Sequence, residues 1–383
     1  MDVVVIGAGP AGSLAAMLLA REGLGVTLVE RRAFPRPKVC GGCLNAQAIA
    51  VLGRAGLDAR VRELGAAPVN RLRFHHRGRR AEIGLPEGFA VSRASLDDAL
   101  AAAAAEAGCD VRFETAAAVD PRCDEEAGRA IRVVRLRGQA GRDEPVRTRA
   151  VVVADGLGHV SLRGCPGFES RVAAGSRVGI GAEVAPGAVP VTRGTISMAV
   201  SRFGYAGAVE VEGGRVNIAA AVDPALLKAS GSPAQALRAI FADAGVPVDA
   251  PLEPVDWMGT MPLTRRLADP AARGIFVVGD AAGYVEPFTG EGMAWAFAGA
   301  WSLAPLVAEA VRSPGAGAEQ EWVRHRARII GRDQRRCRLL ASGLRRPALV
   351  AAALTLIARY PKAAAPAIAR FSPRPPAGSE RTA

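Results

Sequence analysis

Lysine is nearly absent from this chain. Of 383 residues only Lys38, Lys228 and Lys362 carry an ammonium group, although the formal net charge is +12. The positive charge is therefore arginine. With aromatics at 5% it lacks the interleaved rings of a nucleic-acid surface, so no nucleic-acid partner is expected. Cysteine occurs six times, and Cys109, Cys123, Cys165 and Cys337 stand singly, leaving Cys40 and Cys43 as a close pair. That pattern is not a disulfide framework, and zinc would need a second ligand pair, so no metal is expected. The longest apolar run towards the C-terminus, Ala348 to Ala358, is too short to span a bilayer. No secretory leader precedes the apolar segment that begins at residue 3, so a cytoplasmic location is expected.

What is present is half apolar residues and three apolar strands, far apart, each ending in small or acidic residues. Val3-Val4-Val5-Ile6 runs into Gly7-Ala8-Gly9-Pro10-Ala11-Gly12; Val151-Val152-Val153-Ala154 into Asp155-Gly156; and Ile275-Phe276-Val277-Val278 into Gly279-Asp280-Ala281-Ala282-Gly283. A parallel sheet presents its ligand at such strand ends. Gly7 permits the tight turn, Gly9 lets backbone N–H groups approach a pyrophosphate, and Gly12 lets the following helix pack closely. Pro10 and Ala11 open that helix, whose N-terminus is aimed at the anion. Glu30 ends the next strand, Val26 to Val29, where a carboxylate accepts hydrogen bonds from an adenosine ribose. Arg31 follows it and is placed to read the adenine side or a phosphate. Three strand ends converging on one extended ligand suit FAD.

These segments resemble those of the FAD-dependent monooxygenase and geranylgeranyl reductase superfamily, whose fold resembles p-hydroxybenzoate hydroxylase. The resemblance covers most of residues 1–310. It implies that Asp155 and Gly156 lie near the pyrophosphate and that Gly279 and Asp280 serve the ribityl chain. It also implies that the helix after Gly290-Glu291-Gly292, with Met293 in its first turn, aims its N-terminus at the flavin pyrimidine ring. Arg93, in Val91-Ser92-Arg93-Ala94-Ser95-Leu96-Asp97, matches an arginine that opens a helix beside the cofactor. Ala117 in the inserted meander and Pro287 complete the implied set, Pro287 lying where oxygen would react.

Several departures place the chain within that superfamily. Aromatic-ring hydroxylases carry a histidine after Gly-Asp-Ala-Ala, where Gly283 stands here. Halogenases carry a Trp-x-Trp-x-Ile-Pro segment, against Trp257-Met258-Gly259-Thr260-Met261-Pro262 in this chain. Thr289-Gly290-Glu291-Gly292 and Lys38-Val39-Cys40-Gly41-Gly42 are instead similar to geranylgeranyl reductases and to electron-transfer flavoprotein–quinone oxidoreductase relatives. There Lys38, Gly41 and Gly42 would border the flavin. Four readings of Cys40 and Cys43 stand: a zinc pair, a dithiol relay, a single reactive Cys40, and small residues in a tight loop. The Tyr-x-Trp-x-Phe-Pro stretch of the reductases survives only as Tyr205, with Gly207, Val209 and Glu210 in the other places. Tyr205 is either a proton donor or a packed strand tyrosine.

The expected fold class is α/β: a Rossmann-like FAD-binding domain with a β-meander, an α+β antiparallel-sheet substrate domain, and C-terminal helices. The FAD-binding domain takes residues 1–70, 90–165 and 263–310, and the substrate domain 71–89 and 166–262. Residues 311–371 form a helical region, basic and apolar enough for peripheral contact with the inner face of a membrane, and 372–383 a disordered tail. The expected function is FAD-dependent oxidation–reduction of a hydrophobic molecule of isoprenoid, polyene or polyketide type, with NAD(P)H or a partner reductase as electron donor. In the leading reading an alkene is reduced, with Cys40 or Tyr205 supplying the proton. The alternatives are hydroxylation through a flavin hydroperoxide and electron transfer to a quinone.

Overall fold

Val3–Ile6 has a paired strand on each side and is buried throughout. In the computed structural model, which describes residues 1–360 apart from 127, 140, 249–251, 253, 254, 287, 289, 314 and 316, this strand sits inside a six-stranded sheet. The order is Ala271–Ala272, Ile275–Val277, Ala150–Val153, Val3–Ile6, Val26–Val29, Asp110–Arg112. All neighbours are parallel except the short edge pair formed by the first two. Val3, Val5, Leu28 and Val152 point into one core, packed by the helices Pro10–Arg21, Arg93–Glu106 and Glu291–Arg312. Val4, Ile6, Val29, Val151 and Val153 point into another, against the meander Ala116–Glu126, Arg129–Arg137 and Asp143–Thr148. Burial on both faces is why these strands read as unbroken valine runs.

A second sheet of eight strands stands beside the first. Its order is Met258–Pro262, Val178–Val184, Val216–Val222, Gly204–Glu210, Thr195–Ser201, Ala67–His76, Arg79–Ala90, Cys43–Leu44. Along Gly204–Glu210 and Val216–Val222 the residues alternate. Ala206, Ala208, Ile218 and Ala220 pack beneath the helix Pro233–Ala244, while Tyr205, Gly207, Val209, Ala219 and Ala221 line the opposite face. Ser232 caps that helix, its Oγ accepting from the Gln235 N–H at 3.2 Å, as the Ser-Pro pair predicts. One expectation needs correction: the sheet is not wholly antiparallel. Thr195–Ser201 runs parallel to Ala67–His76, with Thr195 opposite Arg71. The two strands are separated by more than a hundred residues, so no hairpin dictates their direction.

The helices Ala318–Ile329, Gly331–Leu344 and Pro347–Arg359 follow Glu291–Arg312. Among the described residues Glu291–Arg312 is the one single helix long and apolar enough to cross a membrane. Since 67% of its apolar window is buried against the rest of the chain, it reads as a core helix. The expected tail at 372–383, the last part of the helical region (361–371) and Pro287 lie outside the described residues.

Candidate cofactor and substrate site

The glycine turn after Val3–Ile6 separates two jobs. Gly7 has φ +100°, and a Cβ there would meet the Ala154 carbonyl oxygen at 2.5 Å. A Cβ on Gly12 would meet the Gly7 carbonyl oxygen at 1.8 Å, so helix and strand touch only because that side chain is missing. Gly9 differs. A Cβ there would meet nothing closer than the Arg93 guanidinium at 3.6 Å, so the protein itself does not require a glycine. Gly9 lines a large cavity. Gly9 also caps the helix Pro10–Arg21 without any side-chain hydrogen bond, leaving its first N–H groups turned outward.

Glu30 is buried at the end of its strand, where it accepts from the Ala8 N–H at 3.2 Å, the Arg32 N–H at 3.1 Å and Arg36 at 3.2 Å. Arg36 reaches Asp97 as well, at 3.6 Å, and its guanidinium sits 4.9 Å from the Phe34 ring centroid. Arg31 is exposed. Arg93 opens its helix as expected and clamps Asp97 with two bonds of 2.7 Å. Burial works against the Arg93 charge, but Asp97 outweighs it and holds the guanidinium firmly protonated.

A large cavity lies between these strand ends and the eight-stranded sheet. It holds about 1970 Å³ of space with its open, solvent-filled mouth included. Gly9, Pro10, Ala11, Gly156, Gly279 and Asp280 line one side, and Gly290, Gly292 and Met293 its end. Lys38, Cys40, Gly41 and Arg93 also face it. Burial lowers the Lys38 ammonium pKa, and neighbouring Arg93 adds to this, while Asp280 pulls the other way. Gly42 takes φ +70°, and a Cβ there would meet the Val91 carbonyl oxygen at 3.0 Å. Gly41 has nothing within 4 Å of the place a Cβ would take.

Asp155 accepts from both the backbone N–H and the hydroxyl of Ser161 through Oδ2, at 3.0 and 2.8 Å. Its Oδ1 is buried with no hydrogen-bond partner among the described residues. Gly290 caps Glu291–Arg312 at φ +84°, again without a side-chain cap, so a second helix N-terminus opens at the cavity. The open place at Gly9 and the two uncapped helix ends at the cavity fit an extended, anionic dinucleotide. Ala117 does not reach this cavity: it pairs with Leu136 in the meander. Gly7, Gly12, Glu30, Arg31, Gly42 and Asp155 likewise lie outside its lining.

On the far side the chemistry changes. Val69, Leu72, Leu85, Ile196, Met198 and Phe288 line that wall, and no charged side chain from the eight-stranded sheet joins them. Tyr205 faces it, packed edge-on against Phe288 with centroids 4.9 Å apart and with the Arg177 guanidinium 5.7 Å from its ring centroid. Burial, reinforced by Glu286, raises the Tyr205 pKa well above 10. The Cys43 thiol is pushed up to about 12 by burial and by nearby Cys40, and its Sγ donates to the Gly41 carbonyl at 3.2 Å. Both cysteines are free thiols, and no metal-ligand cluster occurs among the described residues.

Sequence reasoning missed Asn217, whose side-chain amide donates to the Cys40 carbonyl at 2.9 Å and pins the loop to the substrate sheet. A lone amide in the apolar strand Val-Asn-Ile-Ala-Ala-Ala-Val was the available signal. It also missed Arg36 and Asp97. Asp97 stands one helical turn after Arg93, a legible spacing.

Residues 1–321 match the family described as "FAD binding domain". A menaquinone reductase from Mycolicibacterium smegmatis is 39% identical over 165 residues, which span 40% of this chain and 37% of that protein. The match to such relatives thus covers well under half of their length. A digeranylgeranylglycerophospholipid reductase from Methanopyrus kandleri is 30% identical over 319 residues, 76% of each chain. Among solved structures, a flavoprotein/dehydrogenase from Cytophaga hutchinsonii superposes with a TM-score of 0.77 at 21% identity, covering 92% of this chain and 88% of that one. At that identity the likeness speaks for the fold.

Proposed function

Because the chain belongs to the FAD binding domain family, we propose that it is a flavin-dependent oxidoreductase that reduces carbon–carbon double bonds of an isoprenoid-like substrate. One observation carries the substrate class: the cavity is polar and glycine-lined on the side of the dinucleotide sheet, and apolar and uncharged on the side of the substrate sheet. A substrate held there surrenders its hydration to hydrocarbon and needs no counter-charge. Relatives named for a menaquinone and for a digeranylgeranylglycerophospholipid support this reading, since both substrates carry an isoprenoid chain.

Reduced FAD, when bound, supplies the hydride that such a reduction requires. The protein's part is to position and to deliver a proton. Gly9 and the two helix N-termini hold the phosphates and the flavin end, Asp280 the ribityl hydroxyl groups, and Lys38 with Arg93 the charge between them. Tyr205 stays protonated and is a weak acid in its buried place, which suits it to shaping the cavity wall. Cys40 faces the same cavity on a loop held by Asn217, and we assign it the proton. NAD(P)H or a partner reductase is the proposed source of electrons.

The test is to photoreduce the FAD-loaded protein and mix it anaerobically with a geranylgeranyl lipid. Rapid flavin reoxidation with saturation of a double bond supports the proposal, and Cys40→Ala should slow it about a hundred-fold or more, the lower range for losing a general acid. Reoxidation by a quinone analogue alone, or in air alone with substrate hydroxylated, would sink it.

A further inference from the structure

We infer that the outer face of the helix Pro347–Arg359 docks on an anionic lipid bilayer. The helix is apolar on both sides. Its inner side buries Val350 and Leu354 against Ala67–His76 and Arg79–Ala90, in the same apolar cluster as the cavity residues Leu72, Met198, Tyr205 and Phe288. Its outer side leaves Leu349 51% and Leu356 61% exposed, with Ala352 and Ala353 exposed between them. Spacings of three, four and seven residues put these on one stripe. No charged residue occurs between Arg346 and Arg359 to interrupt it. Helices apolar all round are normally covered all round.

Charge selects the occupant. From Gln334 to Ser379 the chain contains no acidic residue. Among the described residues Arg335, Arg338, Arg346 and Arg359 belong to no ion pair within 4.0 Å. A second copy of this surface would bring arginine against arginine, whereas anionic headgroups complement it. Length selects the mode. Thirteen residues make a helix of roughly 20 Å, shorter than a hydrocarbon core of about 30 Å, and the preceding helix Gly331–Leu344 meets it at 106°, so the two do not form one straight span. The helix therefore lies in the interface, its outer leucines among acyl chains and its inner ones against the cavity wall.

The experiment is flotation of the full-length, FAD-loaded protein with phosphatidylcholine vesicles, with and without phosphatidylglycerol. The expected result is co-flotation with the phosphatidylglycerol vesicles, lost in high salt, and weak flotation with phosphatidylcholine alone. The exposed double variant Leu349→Glu/Leu356→Glu should lower the bound fraction about ten-fold or more while keeping its FAD content. Arg346→Gln/Arg359→Gln should lower it to a smaller extent. Equal binding of wild type to both vesicle types would overturn the inference, as would unchanged flotation of the leucine variant. So would a stable dimer of wild type that the leucine variant abolishes, since a second copy would then be the occupant.

Discussion

A glycine that serves the fold and a glycine that serves a ligand look the same in a sequence, and at Gly12 and Gly9 the structure tells them apart. Gly12→Ala drives a methyl group into a backbone carbonyl 1.8 Å away. Either the helix Pro10–Arg21 moves off its strand or the turn opens, and the expected loss is about 1–3 kcal/mol or more in the ligand-free protein. Gly9→Ala meets only a guanidinium at 3.6 Å, and the backbone there has φ −78°, which alanine adopts readily. Ligand-free stability should stay within about 0.5 kcal/mol. The cofactor should feel the change: FAD at a hundredfold its Kd stabilises wild type by about 2.7 kcal/mol, and Gly9→Ala should shrink that increment. Denaturation with and without FAD reads both quantities. A full FAD increment in Gly9→Ala would remove the phosphate from this turn.

Elements were read best where a short period repeats. Alternation marks strands at 177–184, 195–201, 205–211 and 215–222, within one residue of those observed, and the valine runs reflect two-sided burial. The loop from Lys38 to Leu44 has no period, and its cysteines supported four readings. The Cys43 thiol is pushed up to about 12 by burial and by nearby Cys40. At pH 8 roughly one Cys43 in 10⁴ is thiolate, too few for a relay or for alkylation on an ordinary timescale. Iodoacetamide at pH 8 should therefore leave Cys43 unmodified in the native protein and modify it after unfolding, as peptide mass mapping would show. Native labelling of Cys43 at the rate of a free thiol would restore the dithiol reading.

At the scale of the whole molecule, one buried arginine ties separate regions together. Arg177, fully buried before the strand Val178–Val184, contacts Asp223 at 3.1 Å and Glu286 at 3.2 Å. Asp223 in turn reaches Arg345 of the C-terminal helices at 3.3 Å. Burial raises the Glu286 pKa despite Arg177, and one of its carboxylate oxygens has no partner among the described residues. The folded protein thus holds a proton on Glu286 at pH values where the unfolded chain has released it. This contribution is fully present below the ordinary glutamate value, about 4.3, and is lost as pH rises through the raised folded value. Glu286→Gln should flatten the fall in stability over that window, measured as the urea midpoint against pH. An unchanged pH slope would show that Glu286 is ionised in both states.

The sequence by itself determined the dinucleotide-binding half. Its signals are local: a strand, a glycine turn and a helix follow one another within about twenty residues, so neighbouring positions along the chain are also neighbours in space. Arg93 and Asp97 are also joined locally, by one helical turn, so the spacing was legible although the pairing was not read from it. Tertiary structure alone decided the rest. The parallel pairing of Thr195–Ser201 with Ala67–His76, the contact of Asn217 with Cys40 and the Arg177–Glu286 pair each join residues more than a hundred positions apart. No periodicity reports such contacts, since they arise only when one apolar wall closes over another and strands unlike charges or amides between them.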